Sequence, residues 1–290
     1  MSVGSGAGLT GTVVIFLGHG LSIESCRAFQ RLKSTAGPGV TVRWLLDNAC
    51  KSEIPAGLAG EVLEYDSSRF AGWGYAVMGT TMLPGHCHFP LLQLYEENPG
   101  IERLWLVEYD AHFTGRWSVL FEHFANDDAD LLTCHVKTWD QEPRWHWWNT
   151  LAAPERSEPV DIQRVRAFLV VARYSAAALR LLAQQHRAGW IGHQEVVVPS
   201  LLLHHGLTVR DLNHAGPARA ARRFYLSVSD PEGKLEEFGT LRYRPSRIRA
   251  GFRRNTLYHP VKPSSMIRTR SFLTALLRKF AVARHALFGR

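Results

Sequence analysis

The stretch at residues 12–46 constrains the fold more than any other. Residues 12–17 (Thr-Val-Val-Ile-Phe-Leu) are a β-branched apolar run, bounded by glycines and too short for a helix. That is the pattern of a strand buried on both faces. Gly18-His19-Gly20 breaks the run, and Ser22 is placed to cap a helix reaching about residue 33. A turn at 35–39 leads into a second apolar run at 40–46, which ends in Asp47. Strand, helix and strand in so short a span make a βαβ unit, which requires a parallel sheet and a right-handed crossover.

The alternation continues down the chain. Residues 89–97 predict a helix stopped by Asn98-Pro99-Gly100, and 103–107 a third buried strand ending in Glu108-Tyr109-Asp110. A helix is predicted over 116–126 with Thr114 as its cap, and a fourth strand over 130–136. Residues 160–187 read as one long amphipathic helix with Val165, Phe168, Leu169, Ala172, Leu179 and Leu182 on its apolar face, ended by Gly189. A helix over 195–205 is expected to carry Pro199 near its first turn and to stop at Gly206. Short strands are expected at 224–228 and 239–243. The expectation is one α/β domain over 1–262, a doubly wound and mostly parallel sheet, followed by a basic amphipathic helical tail at 263–290.

Composition narrows the classes. The 290 residues are 46% hydrophobic and 21% charged, which excludes collagen, coiled coil and wholesale disorder. No run approaches the ~18–20 apolar residues that cross a bilayer. The Gly/Ser-rich start lacks the basic and apolar regions of a secretory signal, so a cytoplasmic location is expected. Cys26, Cys50, Cys87 and Cys134 have no CxxC spacing, which in a reducing compartment points to free thiols.

Charge is divided unevenly. Residues 1–160 hold 11 Lys/Arg against 19 Asp/Glu, whereas 161–290 hold 23 against 7. The basic half calls for an anionic partner. Aromatic residues are sparse in the basic stretch 242–254 and no recognition module is visible, so a phosphate-handling face is expected there rather than a nucleic-acid partner.

The sharpest chemical feature is Glu108-Tyr109-Asp110. In open α/β sheets ligands bind beyond the carboxyl ends of the strands. Two carboxylates at i and i+2 on such an end can converge on Mn²⁺ or Mg²⁺, or they can be solvated strand-end acids. In the loop 139–149, the indoles of Trp145, Trp147 and Trp148 are fit either to stack on the C–H faces of a sugar or to anchor the loop in the core. His86-Cys87-His88, with His112 and Asp110, is a rival zinc cluster, but nothing near it supplies a third ligand at zinc-site spacing. His204-His205 suits the negative end of a helix.

Residues 105–110 together with Thr114-Gly115-Arg116-Trp117 resemble the GT-A class of nucleotide-sugar glycosyltransferases. So do Gly192-His193-Gln194-Glu195 and Asn255-Thr-Leu-Tyr-His259-Pro260-Val-Lys262, in the order that class requires. Glu108 stands where an Asp is more usual. The resemblance implies that Asp110, Glu108 and His259 hold the metal and that Lys262 meets the phosphates of a nucleotide-sugar donor. Asp47 and Leu17-Gly18-His19 would border the nucleoside. Gly192 and His193 would meet a saccharide or lipid-linked acceptor, and Glu195 would be the general base of an inverting, hexosyltransferase-like reaction in polysaccharide biosynthesis. Each residue also has a plainer reading: a turn for Asp47 and His259, helix-dipole complementation for Glu195. The tail at 267–290 joins six cations and an apolar face without an acid, which fits either the anionic inner membrane surface or packing on the domain. The alternatives are a nucleic-acid-binding protein using the basic half and an inactive sugar-binding module of the same fold.

Overall fold

Period-two alternation sorts the core of the computed structural model, which describes residues 8–50, 53–155, 160–214, 223–229, 237–242 and 246–262. In strand β1 (Gly11–Gly18), Val13, Ile15 and Leu17 enter one apolar cluster while Val14 and Phe16 enter another. Helix α1 (Ile23–Thr35) lies on the second face, and its N-terminus is closed by a reciprocal Ser22/Ser25 capping box. Strand β2 (Val40–Asp47) pairs with β1 in parallel, as the βαβ unit demands. Strand β3 (Val62–Tyr65), too short to stand out in the sequence, adds to the outside of β2.

Helix α2 (Phe89–Glu97) matches its expected bounds and precedes strand β4 (Ile101–Glu108), which pairs with β1 on its free side. The short strand β5 (His112–Phe113) follows, then helix α3 (Trp117–His123) and strand β6 (Leu131–Thr138). Helix α3 is shorter than expected and Thr114 does not cap it. The Thr114 hydroxyl instead donates to the carbonyls of Arg253 and Thr256, tying this turn to the end of the chain.

The long helix expected over 160–187 is not there. Strand β7 (Val165–Ser175) runs antiparallel between β4 and β6, and only then does helix α4 (Ala176–Ala188) begin, capped by Ser175. The residues Arg166 and Arg173 misled the periodicity, because both are buried in the strand and not on a solvated helix face. Arg173 reaches the carbonyls of Phe124, Asp127 and Ala129 at 2.6, 2.8 and 2.8 Å. Helix α5 (Gln194–His204) carries Pro199 in its interior, beyond the first turn. Strand β8 (Val209–Asp211) closes the sheet beside β6.

The seven-stranded order is β3-β2-β1-β4-β7-β6-β8, parallel except at β7. Helices α1 and α3 cover one face and α2, α4 and α5 the other, so the α/β, doubly wound architecture is as expected. The late strands are β9 (Ser227–Ser229) and β10 (Glu237–Gly239), shorter than the expected 224–228 and 239–243 and shifted from them, and among the described residues they pair with each other. The last, β11 (Leu257–Tyr258), pairs antiparallel with β5. No helix among the described residues is long and apolar enough to cross a membrane. The expected tail at 263–290 lies outside the described residues.

Candidate functional site

Chain order reverses direction across the sheet between β1 and β4, because β1 is followed outward by β2 while β4 lies on its other side. A crevice opens at such a switch point beyond the carboxyl ends of the strands. Gly18 ends β1 there and Glu108 ends β4. A Cβ on Gly18 would stand 3.1 Å from Trp44 Nε1 and 3.5 Å from Tyr109 Cβ, so the strand end passes close to both side chains. The Leu17 side chain packs in the core, and its carbonyl accepts the Tyr109 N–H at 2.9 Å. Leu17 therefore sets the position of Tyr109 and offers no side chain to a ligand.

The β5–β11 pairing brings the last described segment onto this edge. Val261 N–H donates to the Asp110 carbonyl at 2.8 Å and His259 N–H to the Thr240 carbonyl at 2.8 Å. The result is a convergence of Glu108, Asp110 and His259, whose ligand atoms all lie within 4.8 Å of one another. His259 Nε2 is 3.4 Å from Asp110 Oδ1 and 3.7 Å from Glu108 Oε2, and Lys262 Nζ is 3.4 Å from Asp110 Oδ2. His259 Nδ1 donates to the Leu241 carbonyl at 2.9 Å, which leaves Nε2 to face the carboxylates.

The electrostatics are those of crowded acids. Burial pushes the Glu108 carboxyl up to about 7, with the Asp110 charge adding to it. Burial also works against the Asp110 charge, but the hydrogen bond from His259 and the nearby Lys262 outweigh it and hold Asp110 below the usual carboxylate range. For His259 burial opposes protonation, and Asp110 and Glu108 overcome it and raise its pKa. Asp110 Oδ1 is buried, and beyond the 3.4 Å approach of His259 Nε2 no well-formed hydrogen bond reaches it among the described residues. A carboxylate oxygen left in this way beside an imidazole and a second carboxylate fits a divalent cation of the Mn²⁺ or Mg²⁺ kind.

Beside the triad opens a cleft of about 240 Å³ lined by His19, Ser22, Tyr109, His112, Ile248 and Lys262, among others. His19 meets Tyr109 edge to face at 5.7 Å, and Lys262 lies 5.8 Å over the Tyr109 ring. Burial lowers the pKa of His19 and His112, so both are neutral donors or acceptors near pH 7. Asp47 lies close enough to act on the charge of His19, yet its Oδ1 accepts from Ala49 N and Ser67 N, both at 3.1 Å. The turn reading of Asp47 is therefore realised.

Glu195 sits in the first turn of α5, half-buried, within electrostatic range of Glu108 and His259. Burial raises its pKa, against the pull of Arg242 and Arg166. His193 caps the same helix, its Nδ1 accepting from Glu195 N at 3.3 Å, and its ring stacks on Trp147 at 4.5 Å and 10°. Gly192 is buried at φ +154°, and a Cβ there would stand 3.2 Å from Leu151 Cα and Val197 Cβ, so its role is to let the chain turn into α5.

Trp145 and Trp148 depart from the sugar-stacking expectation. Both are buried in the core cluster, and Trp148 Nε1 donates to the Glu142 carbonyl at 2.8 Å, so their faces are spent on packing. Trp147 alone of the three is half-buried. His86 and His88 are likewise interior, with His88 Nε2 at 2.8 Å from His186 Nε2.

Sequence reasoning missed Tyr109 and His112 as cleft walls and Arg166 entirely, and placed Arg242 only within the basic stretch 242–254. Arg166 is fully buried, pairs with Glu142 and stands over the Trp145 ring, and burial lowers its pKa to about 10. Arg242 shares Glu142 at 3.3 Å. The signal for Arg166 was a charge inside a Val/Ala/Leu run, which the helical reading placed in solvent.

No protein-family model matches the chain, and no curated protein matches it. Among solved structures, mouse xyloside xylosyltransferase 1 overlaps 71% of this chain and 86% of its own, at 12% identity and TM-score 0.40. A Bacillus anthracis protein described as a glucose-1-phosphate thymidylyltransferase overlaps 70% and 86%, at 12% identity and 0.38. An active-site variant of LgtC overlaps 92% and 96%, at 12% identity and 0.42. These overlaps carry no residue role over to this chain.

Proposed function

We infer that this chain is a divalent-metal-dependent glycosyltransferase that moves a sugar from a nucleotide-sugar donor to an acceptor hydroxyl. The observation that carries the reading is the convergence of Glu108, Asp110 and His259 at the switch-point edge of the sheet, with Asp110 Oδ1 buried and approached by His259 Nε2 at 3.4 Å. Asp110, His259 and Glu108 would hold the Mn²⁺ or Mg²⁺, which when bound neutralises the charge of a departing diphosphate.

The residues around it divide the remaining work. Lys262 supplies a point charge beside Asp110 for a phosphate. The cleft between His19, Tyr109 and His112 takes the nucleoside. Trp147, held flat against His193, is the candidate platform for a sugar face. Glu195, with its pKa raised by burial, is the candidate base for an acceptor hydroxyl, which implies inversion. The acceptor in this reading is a saccharide or a lipid-linked precursor at the cytoplasmic face of the membrane, with 1–262 as the catalytic domain and 263–290 as a membrane-facing tail.

A donor panel tests this. Each of a full set of nucleotide sugars is incubated with the chain and Mn²⁺ or Mg²⁺, and release of nucleoside diphosphate is measured. Metal-dependent release from one donor supports the enzyme. Binding of a sugar without release from any donor leaves an inactive sugar-binding module, and the catalytic reading fails.

A further inference from the structure

The strap along the cleft carries exposed residues to which the proposed chemistry gives no part. Its base is fixed to the site: Arg247 N–H donates to the Pro260 carbonyl at 2.9 Å and Lys262 N–H to the Arg247 carbonyl at 2.8 Å. Thr114 Oγ1 donates to the Arg253 carbonyl. Between these anchors Phe252 is fully exposed and Ile248 is 51% exposed, four residues apart on one loop. Arg249, Arg253 and Arg254 are exposed around them. From residue 238 to 290 the sequence has 13 Lys/Arg and no acidic side chain.

Large apolar side chains held in water beside several cations fit one kind of surface. At the boundary between headgroups and acyl chains, the apolar tips leave water while the guanidiniums stay with headgroup phosphates. Attraction to anionic lipid adds with each cation close to the surface. A nucleic acid would be served by the arginines but makes no use of the aliphatic Ile248. Lys262 lies at the base of this same loop and adds a further cation there.

We propose that the loop 248–254 docks on an anionic lipid bilayer, with Phe252 and Ile248 entering the interface and Arg249, Arg253 and Arg254 meeting headgroup phosphates. Ile248 also lines the cleft, so docking presents the mouth of the site to the membrane. The inference stands on the loop itself and does not depend on which nucleotide the cleft takes.

Co-sedimentation of the full chain with vesicles tests it, using phosphatidylcholine alone and phosphatidylcholine mixed with phosphatidylglycerol. The parent is expected to bind only the anionic vesicles, more weakly as salt rises. Phe252→Ser should lower the partition coefficient about tenfold, and Phe252→Trp should retain it. Arg249→Gln, Arg253→Gln and Arg254→Gln together should lower it about tenfold or more and flatten the salt dependence. Unchanged melting temperatures of these variants exclude misfolding as the cause. Absence of parent binding, equal binding to neutral vesicles, or parental binding by Phe252→Ser would each overturn the proposal. So would binding to an RNA homopolymer in place of vesicles.

Discussion

His259 Nε2 lies 3.4 Å from Asp110 Oδ1, an imidazole from the last described segment set against a carboxylate from the sheet edge. The contact exists because β11 pairs with β5 and because Leu241 holds Nδ1. His259→Ala is expected to weaken Mn²⁺ binding about 10–100-fold while leaving the melting temperature of the metal-free protein within a few degrees. Titration calorimetry with Mn²⁺ checks this, and parental affinity in the variant removes His259 from the metal set.

Glu195→Gln keeps size and hydrogen bonding but cannot take a proton. Turnover should fall by roughly 10²–10⁴ with donor binding nearly unchanged. Single-turnover kinetics on the donor found in the panel decides it. Near-normal turnover would transfer the role of base elsewhere.

Acid should destabilise the fold through its buried histidines. Burial lowers His186 and His193 to about 4 and drives His88 well below its ordinary value. An unfolded histidine titrates near 6.5, so only the unfolded chain takes up these protons as pH falls from about 6.5 to about 4. Stability is therefore complete above pH 7 and is lost through that window, by up to about 3 kcal/mol each for His186 and His193. Urea unfolding at a series of pH values should show this slope, and His186→Gln should flatten it.

Arg173 holds three buried carbonyls from the loop between α3 and β6. Arg173→Met would leave them without donors, at a cost of about 3–5 kcal/mol. A fall in the urea midpoint at unchanged slope is the expected outcome. A midpoint equal to the parent's would show the loop finding other partners.

The parts of this molecule legible in the sequence are those set by local pattern. The β1–α1–β2 unit announced itself by an apolar run, a capping serine and a second run, and each appears within a residue or two of its expected place. The acids Glu108 and Asp110 were visible because a buried strand ends where they begin. What escaped depends on partners distant in sequence. Strand β7 looked helical because Arg166 and Arg173 seemed to need solvent, whereas Glu142 and a ring of carbonyls receive them inside. Trp145 and Trp148 looked free to stack on a sugar because nothing local says that α5 and β7 will cover them. The cleft walls Tyr109 and His112 become a surface only when the strap from 247 to 262 folds across them.

The most direct test of the account is nucleoside diphosphate binding followed by thermal unfolding, with and without Mn²⁺, for the parent chain and for Asp110→Asn. The parent should gain about 5 °C or more at a ligand concentration a hundred times its dissociation constant, and only with the metal present. Asp110→Asn should melt close to the parent in the absence of ligand and gain nothing from the pair. Stabilisation of the parent without metal, or full metal-dependent stabilisation of Asp110→Asn, would contradict the assignment of Glu108, Asp110 and His259 as the metal–diphosphate site.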